Sequence, residues 1–407
     1  MRILVVSQYF WPEVFRVNEI VSELRARGHE VTVLTGRPNY PGGQLFDDYA
    51  AAPAAFASYH GAEVIRLPLR PRGQGSLRLL LNYWSFVFWG SLLGPWKLRG
   101  RRFDALFCFE TSPITSALPA VLLRRLKRAP LLLWVLDLWP DTLSAVGMLR
   151  SERGLKAVGT LVRFIYRRCD LILAQSRSFF PAIERWSGEP RKTRYFPQWG
   201  EAAFDVALDA VREAPELAPH AGRFKLMFAG NIGDAQDFPA LLDAAEATRH
   251  RPDLHWLLVG DGRQAAWVRE QIQARGLGAT VFMLGRHPLE RMPEFFKGAD
   301  ALIVSLKAEP IFAMTIPGKV SAYLSAGRPI LAMIDGEGAR VIDEACAGLV
   351  APAGAGAELA RQALALAALP LEARQAMGAS ARAYARREFD RATLIDQLQA
   401  WLAEARR

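Results

Sequence analysis

Arg2-Ile-Leu-Val-Val-Ser7, Asn18–Arg27 and Glu30-Val-Thr-Val-Leu-Thr35 decide the fold. The first segment is β-branched and apolar, as a strand buried on both faces requires. The second sets Ile20, Val21 and Leu24 at helical spacing and stops at Gly28, a residue that takes a left-handed helix end without strain. The third alternates into another strand. Parallel strands need a crossover helix, so these 35 residues read as the opening βαβ unit of a doubly wound sheet.

Outward from that unit the rhythm continues through short apolar runs at Ala62–Leu67, Ala105–Phe109, Pro130–Leu136 and Leu171–Ala174. It changes near Tyr195–Trp199. Residues 201–223, rich in Ala, Glu, Pro and Asp, read as a linker with room for one helix. The series then restarts with a strand at Phe224–Ala229, a helix at Ala240–Ala247 and a strand at Leu254–Val259, followed by Val281–Leu284, Ala301–Ser305 and Ile330–Ile334. A chain of 407 residues is long enough for two α/β domains. The expected architecture is α/β, with two Rossmann-like doubly wound domains facing across a cleft. Their predicted spans are 1–200 and 201–385. A C-terminal helix over 386–407, capped by Asp390, is expected to pack back toward the first domain.

The charged fraction of 23% and hydrophobic fraction of 51% suit a globular chain with a large core. Cys108, Cys169 and Cys346 are far apart and form no CxxC pair, and the six His show no metal spacing. The N-terminal apolar run is too short for a signal peptide, which favours a cytoplasmic location. The net charge of +10 is unevenly placed: residues 1–200 hold 28 Lys and Arg against 15 Asp and Glu. One basic half points to an anionic surface, membrane lipid or a lipid-linked phosphate, rather than to nucleic acid. Within that half, Leu79–Trp96 carries no charge, is rich in Trp and Phe, and is flanked by Arg70, Arg72, Arg78, Lys97, Arg99, Arg101 and Arg102. A spanning helix there would part strands of one sheet across a bilayer. Leu77–Leu98 therefore reads as a helix lying in a membrane interface, with an ordinary core helix as the alternative.

Candidate chemistry sits where strands end. Phe228-Ala-Gly-Asn-Ile-Gly-Asp-Ala-Gln236 follows a strand, and Gly230, Asn231, Ile232 and Gly233 offer a backbone cradle for a diphosphate. It is neither GxGxxG nor a P-loop. Gly260, Asp261 and Gly262 close the next strand. Pro317-Gly318 starts a helix with Lys319 in its first turn, where a cation opposes the helix dipole unless an anion is bound. No Asp-x-Asp pair occurs, so no metal is expected, and fixed dipoles and cations would stabilise a leaving diphosphate. In the first half, Asp137 and Asp141 follow one apolar strand and Glu110 another, and Glu13, Arg16 and Asn18 lie in the first strand–helix connection. A carboxylate there is a base, an orienter of a hydroxyl, or a helix cap.

Together, Gln8-Tyr-Phe-Trp-Pro-Glu13, Gly28-His-Glu-Val-Thr-Val-Leu-Thr35, Pro38-Asn-Tyr-Pro41, Asp137-Leu-Trp-Pro140, Ala229-Gly-Asn-Ile-Gly233 and Ile316-Pro-Gly-Lys319 resemble the GT-B glycosyltransferases of family 4 over nearly the whole chain. The nearest pattern is that of N-acetyl-L-fucosamine transferases of O-antigen, outer-core and capsule assembly. The resemblance implies a UDP-linked acetamido-deoxy-hexose donor held by the second domain, and no separate cofactor. It implies a saccharide acceptor, often on polyprenyl diphosphate, held by the first domain at the cytoplasmic face of the inner membrane, and transfer with retention. Carried onto this sequence, the catalytic candidates are Asp137, Lys319 and Glu13. Arg286, Pro317 and the two glycine turns join Lys319 on the donor, and Arg16, Asn18, Glu110 and Asp141 lie on the acceptor side. Two departures stand out. Met314 and Ala322 occupy positions where many members carry Glu, the second of which holds the ribose. The diphosphate loop has Asn231 and no Lys, which shifts its charge to Lys319 and Arg286. A nucleotide-sugar 2-epimerase and a non-catalytic membrane-bound sugar-nucleotide sensor are the alternative readings.

Overall fold

The computed structural model describes residues 1–73, 75–145, 149, 151–200, 204, 206 and 208–406. They form two compact units. The first comprises Met1–Phe196 with Ala392–Arg407, and the second Pro197–Arg391.

The first unit is built on β1 (Arg2–Val6), β2 (Glu30–Gly36), β3 (Ser58–Tyr59), β4 (Ala62–Leu67), β5 (Ala105–Glu110), β6 (Leu131–Val135), β7 (Leu171–Ala174) and β8 (Thr193–Tyr195). Their order across the sheet is β3-β4-β2-β1-β5-β6-β7-β8. Every pairing is parallel except the β3/β4 hairpin. Apolar runs without alternation are explained by this arrangement: helices cover both faces, so each side chain of β5 and β6 is buried. Val5 lies opposite Val33 on one side and Phe107 on the other. β1 is thus the strand from which the chain winds in both directions, and its carboxyl end next to β5 is where such sheets open a crevice.

The second unit repeats the plan with β9 (Phe224–Ala229), β10 (Leu254–Val259), β11 (Val281–Gly285), β12 (Ala301–Ser305), β13 (Ile330–Met333) and β14 (Gly348–Ala351), in the order β11-β10-β9-β12-β13-β14. Here the winding reverses between β9 and β12. The core lies on both faces of the sheet: Met227, Leu257 and Leu302 on one side, Leu226, Phe228 and Trp256 on the other.

Two features depart from the sequence expectations. β3 and β8 are two and three residues long, too short to show a period, and β14 is a short, mostly half-buried edge strand; none of the three was expected. Between residues 201 and 223 the described residues form 3₁₀ turns at Leu208–Ala210 and Pro215–His220 rather than one α-helix, and residues 201–203, 205 and 207 of that linker lie outside the described residues. The helix Arg391–Ala405 belongs to the first unit, where it buries Leu394, Ile395, Leu398 and Leu402 and joins Arg27 to Asp396 at 2.8 Å.

The uncharged segment forms the helix Ser76–Lys97. One side is buried, with Asn82 and Phe86 fully so, while Trp84, Phe88 and Trp96 on the other side are exposed. It is thus a core helix on one face only. Among the described residues no helix is long and apolar enough to cross a membrane.

Candidate active site

In the second unit the site is built by two turns and one helix. β9 runs into Gly230, and the helix Gly318–Ala326 starts beside it, with Pro317 as its N-cap. Tyr323 fixes the two together: its hydroxyl accepts from the Ala229 amide at 3.2 Å and donates to the Ala229 carbonyl at 3.1 Å. Because Tyr323 lies one turn after Lys319, this anchor sets Lys319 against the end of β9. The Lys319 Nζ stands 3.4 Å from the centroid of the Phe228 ring. It is buried and has no hydrogen-bond partner among the described residues. Burial pushes its pKa down to about 7. A Cβ on Gly230 would lie 2.8 Å from Lys319 Cε, so the glycine leaves room for the lysine.

The glycine turns act differently from the cradle expected of them. The Gly230 amide donates to Val259 O and the Ile232 amide to Asp261 O, both at 2.9 Å. The Gly233 amide donates to Gln236 Oε1 at 3.2 Å. Three amides of the loop are therefore spent on holding its shape. The Asn231 amide, on an exposed residue, is the one with no such bond among the described residues. Gly260, Asp261 and Gly262 serve as the brace: a Cβ on Gly260 would come within 1.8 Å of Gly230 O, and one on Gly262 within 2.3 Å of Ile232 O. Gly260 has φ +146, in the region only glycine enters easily. Gly260→Ala is accordingly expected to lower stability by about 2–4 kcal/mol and to weaken nucleotide binding, as read by denaturant unfolding and a ligand titration. Arg286 follows β11, is exposed, and forms no ion pair among the described residues.

In the first unit a cavity of about 330 Å³ opens at the carboxyl ends of β1, β5 and β6. Tyr9, Phe15, Tyr40, Tyr83 and Trp139 wall it, and Arg72, Ser112, Asp137 and Thr142 supply its polar groups. Flat aromatic walls with a few polar groups suit a sugar ring, whose C–H faces stack and whose hydroxyls need partners. Asp137 accepts from Thr142 Oγ1 at 3.1 Å. Burial raises its pKa, with the Thr142 and Ser112 hydroxyls pulling it down. Arg72 donates to Tyr9 Oη at 3.2 Å and lies 5.2 Å over the Tyr40 ring.

The remaining acceptor-side candidates fall around this cavity but not in its lining. Glu13, expected to be catalytic, is a strut: Oε1 accepts from the Asn39 and Tyr40 amides at 2.8 Å and Oε2 from the Phe10 amide at 3.0 Å. Three backbone amides and its burial tie this carboxylate to the loop that carries it. Asn18 braces the same loop, accepting from the Trp11 amide at 3.1 Å and donating to Glu13 O at 2.7 Å. Arg16 pairs with Glu19 at 2.7 Å. Asp141 opens the short helix Asp141–Ala145. Glu110 is fully buried at the end of β5, and neither carboxyl oxygen makes a hydrogen bond among the described residues. Burial, reinforced by the nearby Asp137 carboxylate, raises its pKa well above the usual carboxylate range, which favours the neutral acid. Sequence reasoning missed Tyr323, Arg72 and the aromatic wall; Tyr9 and Tyr40 lay inside quoted motifs, but only the fold shows that both face Asp137's cavity. Among the described residues no group of three or more His, Cys, Asp or Glu is arranged to hold a metal ion.

Two Rossmann-like units in one chain, the second with a lysine ammonium buried at a helix start, fit the GT-B plan. The family model "Glycosyl transferase 4-like domain" matches residues 14–199, and "Glycosyl transferases group 1" matches residues 223–368. The chain belongs to the GT-B glycosyltransferases of family 4. It is 28% identical over 346 residues to WcaI of Escherichia coli (strain K12), whose provisional name assigns it to glycosyl transfer in colanic acid biosynthesis; the match covers 80% of this chain and 82% of that protein. Among solved structures, Anabaena Alr3699/HepE in complex with UDP and glucose superposes with a TM-score of 0.67 at 16% identity, covering 99% of this chain and 100% of that one. WaaG, a glycosyltransferase of lipopolysaccharide biosynthesis, gives 0.61 at 14% identity, with 99% of each chain covered. At these identities the likeness to solved structures is one of fold.

Proposed function

We propose that this glycosyltransferase moves a sugar from a UDP-sugar to a saccharide acceptor carried on polyprenyl diphosphate, in assembly of a bacterial surface polysaccharide. The reaction runs at the cytoplasmic face of the inner membrane and without a metal. The observation that carries this reading is the Lys319 ammonium, buried and without a hydrogen-bond partner among the described residues, beside Gly230. A buried cation without a partner is costly, and a diphosphate oxygen at that point would supply the missing charge. The Asn231 amide and the start of the helix Gly318–Ala326 add dipoles directed at the same charge. As the bond between the anomeric carbon and the β-phosphate oxygen breaks, negative charge grows on UDP next to Lys319. In the first unit the aromatic wall takes the acceptor sugar, and Asp137 accepts a hydrogen bond from its attacking hydroxyl. The likeness to WcaI, WaaG and UDP-bound HepE supports the donor and the pathway class. The donor sugar is an acetamido-deoxy-hexose, such as N-acetylfucosamine, transferred with retention.

Melting curves with UDP, GDP, ADP and CMP test the nucleotide. A binder of the native state at 100 times its Kd stabilises by about 2.7 kcal/mol, so UDP is expected to raise the melting temperature where the other three do not. Turnover of a panel of UDP-sugars with membrane lipid extract then reads the donor. Stabilisation by GDP in place of UDP, or a new free nucleotide sugar in place of a glycosylated lipid, would refute the assignment.

A further inference from the structure

Among the described residues, the helix Ser76–Lys97 has one face without a partner. Its buried side presses on the helix Leu118–Lys127, where a Cβ on Gly90 would lie 2.7 Å from Pro119 Cγ. Its outer side carries Leu77, Leu80, Trp84, Phe88, Leu92 and Trp96, each between 47% and 70% exposed. These recur every three or four residues, so they form one continuous row about 28 Å long at ~1.5 Å per residue. Large apolar side chains scattered singly on a surface are ordinary; an unbroken row of six is not.

The charge around the row identifies what covers it. From Val64 to Phe103 the chain has no Asp or Glu, while it carries eight Arg and Lys. Arg78 is exposed near one end of the row, and Arg99 and Arg102 at the other, with the Arg99 guanidinium 6.0 Å over the Trp96 ring. A second copy of this chain on the same face would bring like charges together, which penalises association. An anionic bilayer fits both features: Trp and Phe enter the headgroup boundary, and arginines at the ends meet lipid phosphates.

The inner side of the same helix supplies Leu79 and Tyr83 to the cavity that contains Asp137. One element therefore has an exposed apolar row on one side and the cavity wall on the other. We propose that the outer face of Ser76–Lys97 docks the first unit on an anionic bilayer, so that the cavity beneath it receives its acceptor from the membrane surface. The docking stands independently of the proposed function; the delivery of acceptor rests on it.

Sedimentation with sucrose-loaded vesicles tests this. The wild-type protein is expected to bind vesicles containing phosphatidylglycerol, and to bind phosphatidylcholine alone more weakly. The triple variant Trp84→Ser/Phe88→Ser/Leu92→Ser is expected to lose at least about tenfold in partitioning to both. Arg99→Gln/Arg102→Gln is expected to lose roughly fivefold per arginine, on the anionic vesicles only. All three side chains of the triple variant are exposed and outside the cavity lining, so the melting-temperature rise with UDP should persist in both variants. A wild type that ignores vesicles, or a triple variant that binds as the wild type does, overturns the docking. So does a wild-type dimer that the triple variant dissolves, which would seat a second copy on this face. Loss of the UDP effect in wild type with vesicle binding intact would strike the donor assignment and leave docking standing.

Discussion

Lys319→Met is expected to weaken stabilisation by UDP sharply while raising the melting temperature of the empty protein by a few degrees. The two effects have one cause. In the empty site the ammonium is buried over the Phe228 ring, and burial lowers its pKa from 10.5 to about 7. Between those values the unfolded chain binds more protons than the folded one, so stability rises with pH across that window. Below about pH 7 the full penalty of a buried charge is present, and methionine, of similar length and uncharged, removes it. The gain of the variant over wild type should therefore be largest at or below pH 7 and fade toward pH 10. Ligand binding runs the other way. A diphosphate favours the charged lysine, so UDP affinity is expected to be highest below about pH 7. Above it, where the terminal phosphate of UDP is already ionised, affinity should fall by up to about tenfold per unit. Calorimetry at pH 8 in buffers of different ionisation enthalpy should show close to one proton taken up on binding. In Lys319→Met, affinity should drop about 10–100-fold and its pH dependence above 7 should vanish. A variant that responds to UDP as the wild type does, with no rise in the empty protein's midpoint, would remove Lys319 from the diphosphate site.

How much of this was legible depended on the length of the signal. Buried strands gave unbroken apolar runs, and Ala62–Leu67, Leu171–Ala174, Phe224–Ala229, Leu254–Val259 and Ala301–Ser305 have the bounds read from the sequence. β3 and β8 were missed because two or three residues carry no period, and β14 because this short edge strand is mostly half-buried and lacks the apolar run of a covered strand. The position of Lys319 in a first helical turn was legible, because a cation there runs against the helix dipole. The role of Glu13 was not. A carboxylate in a strand–helix turn looks the same whether it faces a substrate or three amides, and the amides of Asn39 and Tyr40 come from a loop 26 residues away. The glycine turns were located correctly but misread in mechanism, since whether an amide is free depends on the neighbouring loop that the fold brings to it. The two faces of Ser76–Lys97 were hidden for a related reason. A segment apolar all round gives no directional moment, and only the packing of Gly90 and Gly94 decides which side is covered.

Asp137→Asn is expected to lower kcat/KM by about 10²-fold or more while leaving the UDP-induced melting shift intact. Asparagine keeps the shape and can still accept from Thr142, but it cannot offer a charged acceptor to the attacking hydroxyl, so orientation is lost and fold is not. The ionised form is the useful one, and burial holds its pKa above the ordinary carboxylate value. Activity should accordingly fall on the acid side at a higher pH than for an exposed aspartate. Thr142→Val, which removes a hydroxyl that favours the charged form, should move that limb higher still. Glu110 is the internal control. It is a second carboxyl next to Asp137, but fully buried and pushed toward its neutral form, for which Gln is a near isostere. The variant Glu110→Gln should keep kcat/KM within a few-fold of wild type near pH 7, measured beside Asp137→Asn under one set of conditions. Equal losses from the two would mean that the pair acts as one unit sharing a proton. A silent Asp137→Asn beside a damaging Glu110→Gln would reverse the roles given to the two carboxyls.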